Sequence, residues 1–226
     1  MGTLDRLLRW VGLDFDLDLR SPRFDAITAQ LTLGARPRPE DVEALRQAGI
    51  THVVSCLDPS ERAAMEFLDQ AFQTRFLPLH DGIHQDITQA FPTFFAELDR
   101  LDRGARLLVH CQVGVSRSAT LAIAHVMQST GQRFDEAFRT VQALRPQILP
   151  NIGFASQLQR FEHALRGSRA APVPASLVWY LREVCKTPVE PALLQDALVS
   201  HDYDAHAAIR SLFGGEVPRV VQGVRN

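Results

Sequence analysis

Cysteine is scarce in these 226 residues. Cys56, Cys111 and Cys185 are too few for a disulfide scaffold, and none shows the paired spacing of a zinc site. Long apolar runs are missing too. The best, near Ala119 to Met127, is interrupted by His125 and falls short of the roughly 20 residues a membrane span requires. Close to the N-terminus, Asp5, Arg6 and Arg9 break any apolar segment of the signal-peptide kind. A net charge of -2, from 24 basic and 26 acidic residues, provides no global basic field for nucleic acid. Tryptophan and tyrosine are rare, with Trp10, Trp179, Tyr180 and Tyr203 the full complement. The expectation is a soluble cytoplasmic protein with no membrane span and no nucleic-acid partner.

What is present is an alternation of apolar patterns. A hydrophobic content of 46% suffices for one substantial core and a small second unit. Residues 4–13 have helical apolar spacing, and "DFDLDLR" then alternates as a half-exposed strand or extended arm. Its aspartates resemble the start of a calcium loop reaching to Asp25, but Leu19 stands where the turn needs glycine, so that reading is set aside. From residue 26, β-rich runs at Ile27–Leu33, Thr51–Cys56, Arg75–Leu79 and Arg106–His110 alternate with helical segments at Pro39–Gln47, Ser60–Gln73 and Ala90–Leu101. Pro39 and Pro92 suit first turns, and Gly104 suits a helix end. The pattern predicts an α/β fold: a central, mostly parallel sheet flanked by helices.

After Arg117 the chain reads as helix, first a buried one and then Phe134–Leu144 and Asn151–Leu165. A linker rich in glycine, alanine and proline follows, and then short amphipathic segments near Ser176–Cys185, Pro191–Ser200 and Asp204–Phe213. The division predicted is an N-terminal extension (1–21), a main domain (22–166), a linker (167–176), a helical C-terminal domain or extension (177–214) and a tail (215–226).

One stretch carries chemistry: "VHCQVGVSRSAT", residues 109–120. A loop of small residues between a buried strand and a helix N-terminus turns successive N–H groups inward, and with the helix dipole behind them they hold a phosphate-sized dianion. Gln112, Val113, Gly114, Val115 and Ser116 form this cradle, and Arg117 adds a planar fork that matches two phosphate oxygens. Cys111 lies at its floor, where the same donors favour the thiolate. A cysteine at a strand end is often mere filler, and Cys-x5-Arg is a common accident. The full string His-Cys-x-x-Gly-x-Ser-Arg-Ser is far more specific.

Residues 110–118 resemble the signature of the cysteine-dependent protein phosphatases, in their dual-specificity branch. "LTLGARPRPEDVEALRQAGITHVVSCLD" is similar to the opening of that catalytic domain and "LRPQILPNIGFASQLQRFE" to its final helix, so the likeness covers about residues 22–166. It implies a catalytic domain there, with Cys111 as nucleophile, Arg117 as phosphate ligand and Ser118 as the hydroxyl that stabilises the departing sulfur. It also implies a general acid about 30 residues before the cysteine, where "LPLHDGIHQDIT" offers Asp81 and Asp86. Asp81 is preferred, because it follows a strand and precedes Gly82; Asp86 reads better as a first-turn or N-cap carboxylate. His110 is assigned to support of the loop. Asn151 matches a bracing position of the family, though a helix N-cap accounts for it equally. His80 and His84 have no third ligand, and no metal or cofactor is called for.

Neither tryptophan lies in the acid loop and no tyrosine falls in the catalytic region of the sequence. A shallow pocket for phosphoserine, phosphothreonine and phosphotyrosine is therefore favoured, with a phosphoprotein as substrate. The neutral loop argues against polyphosphorylated head groups but leaves a simple lipid or other small phosphate ester open, as well as a non-catalytic phospho-binding module. "LLQDALVSHDYDAHAAIRSLFG" has a weak likeness to ubiquitin-associated-type helical domains and is a candidate protein-binding segment; a helical hairpin packed on the catalytic domain is the preferred alternative. Cys56 ends a strand of the same sheet as the one leading to Cys111, so both thiols should face the crevice at the strands' carboxyl ends, and some relatives carry a cysteine at a similar position that pairs with the nucleophile. It is a candidate redox partner.

Overall fold

Five strands form one sheet: β1 (Phe24–Ala26), β2 (Leu31–Gly34), β3 (Ile50–Leu57), β4 (Gln73–Pro78) and β5 (Arg106–His110), in the spatial order β1-β2-β5-β3-β4. β1 runs antiparallel on the edge and every other pairing is parallel. The computed structural model describes residues 24–167 and 174–214. The expected N-terminal helix, the alternating arm with its aspartates and most of the linker lie outside the described residues.

Of the predicted strand Ile27–Leu33, Leu31–Leu33 belongs to β2, while residues 27–30 form the tight turn between β1 and β2. The hydroxyl of Thr28 accepts from the N–H groups of Gln30 and Leu31 at 3.3 and 3.0 Å, folding the run into a turn. A threonine that supplies its own backbone with acceptors competes locally with an extended ladder. The predicted helix Ser60–Gln73 is also corrected. Narrow turns at Pro59–Glu61 and Ala63–Met65 lead into a short helix α2 (Glu66–Asp69), and the chain is already strand at Gln73. The parallel register sets this, because Gln73 pairs beside His52 near the start of β3. The connection must therefore return along the sheet, and it does so by burying Met65, Leu68 and Phe72 against Leu45 and Val53.

Helix α1 (Val42–Gln47) shares that face with α2. The opposite face carries α3 (Phe91–Asp99), α4 (Arg117–Thr130), α5 (Phe134–Leu144) and α6 (Ile152–Arg166). Helix α3 ends before Leu101, and Gly104 (φ 89°) belongs to the turn entering β5 instead of closing the helix. Helix α4 is buried over most of its length, as its apolar sequence requires.

The predicted helix Ser176–Cys185 is shorter: α7 (Ala175–Trp179) passes into a wide π-type turn at Tyr180–Val184. Helices α8 (Pro191–Ser200) and α9 (Ala205–Leu212) follow, the last among the described residues, with the Asp204 carboxylate capping α9 through the Ala207 N–H at 2.9 Å. Leu177, Tyr180, Leu181, Leu194, Leu198 and Ile209 join the same core as α4 to α6. Among the described residues no helix is long and apolar enough to cross a membrane.

Candidate active site

Cys111 leaves the C-terminal end of β5, between β2 and β3, and the loop to Arg117 opens where three parallel strands finish together. Four consecutive loop carbonyls point outward. Those of Gln112 and Val115 accept from the backbone N–H groups of Arg36 (3.3 Å) and Leu149 (2.8 Å). The carbonyls of Val113 and Gly114 accept from the Arg145 guanidinium at 3.2 and 2.8 Å. In a trans peptide the N–H points opposite to the C=O, so the N–H groups that follow face inward. Gly114 shows this directly, donating to the Cys111 sulfur at 3.2 Å. Its φ of 74° suits glycine, and a Cβ there would lie 2.5 Å from the Gly34 carbonyl oxygen and 2.6 Å from Arg145 Nη2.

Burial alone would raise the Cys111 pKa, but the Arg117 guanidinium, together with hydrogen bonds from the side chain and backbone of Ser118, more than reverses it. The net shift is downward, against a small opposing contribution from Asp81. The Ser118 hydroxyl donates to the sulfur at 3.2 Å. Arg117 is buried, donates from Nη1 to the Leu79 carbonyl at 3.1 Å, and leaves its Nε–H without a hydrogen-bond partner. An orphan donor on a buried guanidinium is costly unless a ligand takes it. With the inward N–H groups it forms an anion site with unused capacity.

Asp81 stands at this mouth. Its Oδ1 accepts from Ser116 Oγ at 2.7 Å and from Asn151 Nδ2 at 2.9 Å, while Oδ2 is 3.8 Å from Arg117 Nε. Asp86 is engaged elsewhere. It accepts from the Thr88 N–H and hydroxyl at 2.9 and 2.6 Å and from Gln89, and the Thr88 hydroxyl is the first cause of its lowered pKa. Asn151 caps α6 by accepting from the Phe154 N–H at 3.0 Å, and its own N–H donates to Ser116 Oγ at 3.2 Å.

His110 lies under the loop with its Nε2 2.7 Å from Ser55 Oγ and its Nδ1 3.4 Å from the Cys111 carbonyl. Only a protonated Nδ1 can face that carbonyl, so Nε2 accepts from Ser55. Burial drives the His110 pKa down to about 3, and the ring is neutral. His80 pairs with Asp58 at 2.5 Å and His84 meets His206 edge-on. Among the described residues no group of three or more His, Cys, Asp or Glu could hold a metal ion. Cys56 and Cys111 are both buried free thiols. Ser55 pairs with His110 across β3 and β5, so the two cysteines occupy the next step on each side. Burial raises the Cys56 pKa well above its ordinary value, and the charge of Cys111 raises it further.

Several participants escaped the sequence reading. Arg145 braces the loop carbonyls and pairs with Asp25 at 2.6 Å. It sits in the stretch "LRPQILPN", but nothing in a helix-ending arginine announces a partner 31 residues upstream. Gly153 and Gln157, one helical turn apart on α6, hold the loop that follows Asp81. A Cβ on Gly153 would be 1.9 Å from the Ile83 carbonyl oxygen. The Gln157 amide donates to the Gln85 carbonyl and accepts from the Ile87 N–H, both at 2.8 Å. Tyr180, remote in sequence, donates its hydroxyl to the Pro150 carbonyl.

The sequence family described as dual specificity phosphatase, catalytic domain, matches residues 31–164. Human dual specificity protein phosphatase 2 is 34% identical over 151 residues, which are 64% of this chain and 47% of that protein. The Arabidopsis thaliana protein-tyrosine-phosphatase MKP1 is 30% identical over 199 residues, 86% of this chain but 24% of that protein. The chain thus spans half or less of the length of these curated relatives. Among solved structures, a human tyrosine phosphatase-like serine/threonine/tyrosine-interacting protein superposes with a TM-score of 0.58 at 32% identity, covering 63% of this chain and 98% of that one. Human DUSP28 superposes with a TM-score of 0.55 at 29% identity, covering 64% of this chain and 96% of that one.

Proposed function

Since this chain belongs to the dual specificity phosphatase family, we propose that it hydrolyses phosphotyrosine and phosphoserine or phosphothreonine in protein substrates through a cysteinyl-phosphate. The observation that carries this reading is the low-pKa Cys111 inside a ring of inward N–H groups beside an unfilled Arg117 Nε.

The phosphate dianion enters the 112–117 loop and takes Arg117 as a two-pronged ligand, which draws the guanidinium off Asp81 Oδ2. The Cys111 thiolate attacks phosphorus, the phosphorus–oxygen bond to the substrate breaks, and Asp81 gives its proton to the leaving oxygen. Water then attacks the phosphocysteine and returns a proton to Asp81. The sulfur–phosphorus bond breaks and the Ser118 hydroxyl stabilises the released thiolate. Ser116 and Asn151 hold Asp81 by Oδ1, leaving Oδ2 to serve the leaving group. His110, being neutral, supports the loop and takes no proton.

A non-catalytic phospho-binding role would need neither a depressed thiol pKa nor a carboxylate aimed at the mouth. Hydrolysis of para-nitrophenyl phosphate by the wild type, abolished in Cys111→Ser, supports the enzyme; equal rates in both would refute it. Capture of phosphoproteins by Asp81→Ala, against capture of phosphorylated lipids from the same extract, decides the substrate class. A cytoplasmic location and a protein partner for α7–α9 belong to this reading, and fractionation and cross-linking of the expressed chain test them.

A further inference from the structure

The family match ends at residue 164, yet a residue beyond it touches the segment on which the active site depends. Tyr180, in the π-type turn after α7, is fully buried and donates its hydroxyl to the Pro150 carbonyl. The N–H of the same peptide group, on Asn151, donates to Ser116 Oγ of the phosphate loop at 3.2 Å. One rigid peptide plane is therefore held on one edge by the phosphate loop and on the other by the C-terminal helices. The Asn151 side chain projecting from that plane reaches Asp81 at 2.9 Å.

The structure assigns Tyr180 as a positioning residue for the general acid, acting through the Pro150–Asn151 peptide and resting on the phosphatase reading above. Its ring is clamped by Phe134 and Phe138, with centroids 5.5 and 5.4 Å away, so the hydroxyl has a fixed direction. Burial first, then Cys185 and the Asp81 charge, keep its pKa well above the ordinary value, and it remains a donor at any working pH. Two other bonds tie α7 to the catalytic part away from Pro150: Ser176 Oγ donates to Asp135 at 2.9 Å and the Leu177 N–H donates to Gln159 at 3.0 Å, both acceptors being buried. The C-terminal helices thereby complete the active-site wall from behind.

The test is Tyr180→Phe in the full chain, which keeps the ring packing and removes only the hydroxyl. Turnover of phenyl phosphate, whose leaving group needs the acid, falls about 5- to 10-fold, since small misplacements of a catalytic group carry large rate penalties. Turnover of an aryl phosphate with a strongly acidic phenol changes less than about twofold, as does vanadate affinity, because neither calls on the general acid. Ser176→Ala, which loosens the same interface away from Pro150, leaves the ratio of the two substrates unchanged. A Tyr180→Phe protein with a wild-type substrate ratio, or a Ser176→Ala protein with the same altered ratio, overturns the assignment while leaving the phosphatase reading intact. A wild type without Cys111-dependent turnover overturns both.

Discussion

Replacing Gly153 by alanine would place a carbon 1.9 Å from the Ile83 carbonyl oxygen, 2.7 Å from its carbonyl carbon and 2.9 Å from its Cα. All three are backbone atoms, so no side-chain rotation relieves the clash. A carbon–oxygen contact settles near about 3.3 Å, so the two backbones must separate by roughly 1.4 Å. Helix α6 cannot yield, because Ile152, Phe154, Ala155 and Leu158 on it are fully packed into the core. The acid loop moves instead. That breaks the paired Gln157 bonds to Gln85 and Ile87 and carries Asp81 away from Asn151 and Ser116. A catalytic group displaced by about 1 Å costs on the order of 10²-fold in rate. The phosphate loop keeps its own braces, with Arg145, Arg36 and Leu149 bonded to its carbonyls, so the anion site survives. The assay is a series of aryl phosphates of rising phenol pKa, with vanadate inhibition alongside. Gly153→Ala should steepen the dependence on leaving group and fall about 10²-fold on phenyl phosphate, with vanadate affinity kept within about twofold. Wild-type turnover of phenyl phosphate, or loss of vanadate affinity in parallel with rate, would refute the reasoning.

Arg117→Lys keeps the charge but not the planar fork, so kcat/KM should stay at least about 10²-fold down; near-native turnover of any aryl phosphate would remove the two-pronged contact. Asp81→Asn should flatten the basic limb of the pH–rate profile and cost about 10²–10⁴-fold on poor leaving groups, whereas Asp86→Asn should do neither, and the reverse pattern would transfer the role. His110 is neutral when folded, with a pKa of about 3 against 6.5 ordinarily, so below pH 6.5 the unfolded chain binds a proton the folded one refuses. Stability is full above that pH and drains as pH falls toward 3, by up to about 1.4 kcal/mol per unit, and denaturant melts of His110→Gln should lack that share of the slope. Peroxide should oxidise the Cys111 thiolate to a sulfenic acid, which the adjacent Cys56 thiol attacks, expelling water and forming a disulfide. Dithiothreitol should then rescue wild type better than Cys56→Ser; equal recovery, with no linked peptide by mass spectrometry, would rule the exchange out.

The phosphate loop was legible because its chemistry is contiguous: strand, small residues, glycine, arginine and helix follow one another, and local geometry alone turns their N–H groups inward. The alternation of strands and helices likewise gave the parallel sheet, since burial on both faces dictates the apolar pattern. Boundaries were less secure where local polar bonding or register competed with that pattern. The Thr28 hydroxyl folded the start of an apparent strand into a turn, and the pairing of Gln73 beside His52 cut short an apparent helix. What only the tertiary structure decided are the contacts that aim the groups. Arg145 behind Gly114, Gly153 and Gln157 against the acid loop, and Tyr180 on Pro150 join residues 30 to 72 positions apart. Their partners follow from which faces pack together, and a glycine or glutamine on a helix reads the same in sequence whether it faces solvent or a loop carbonyl.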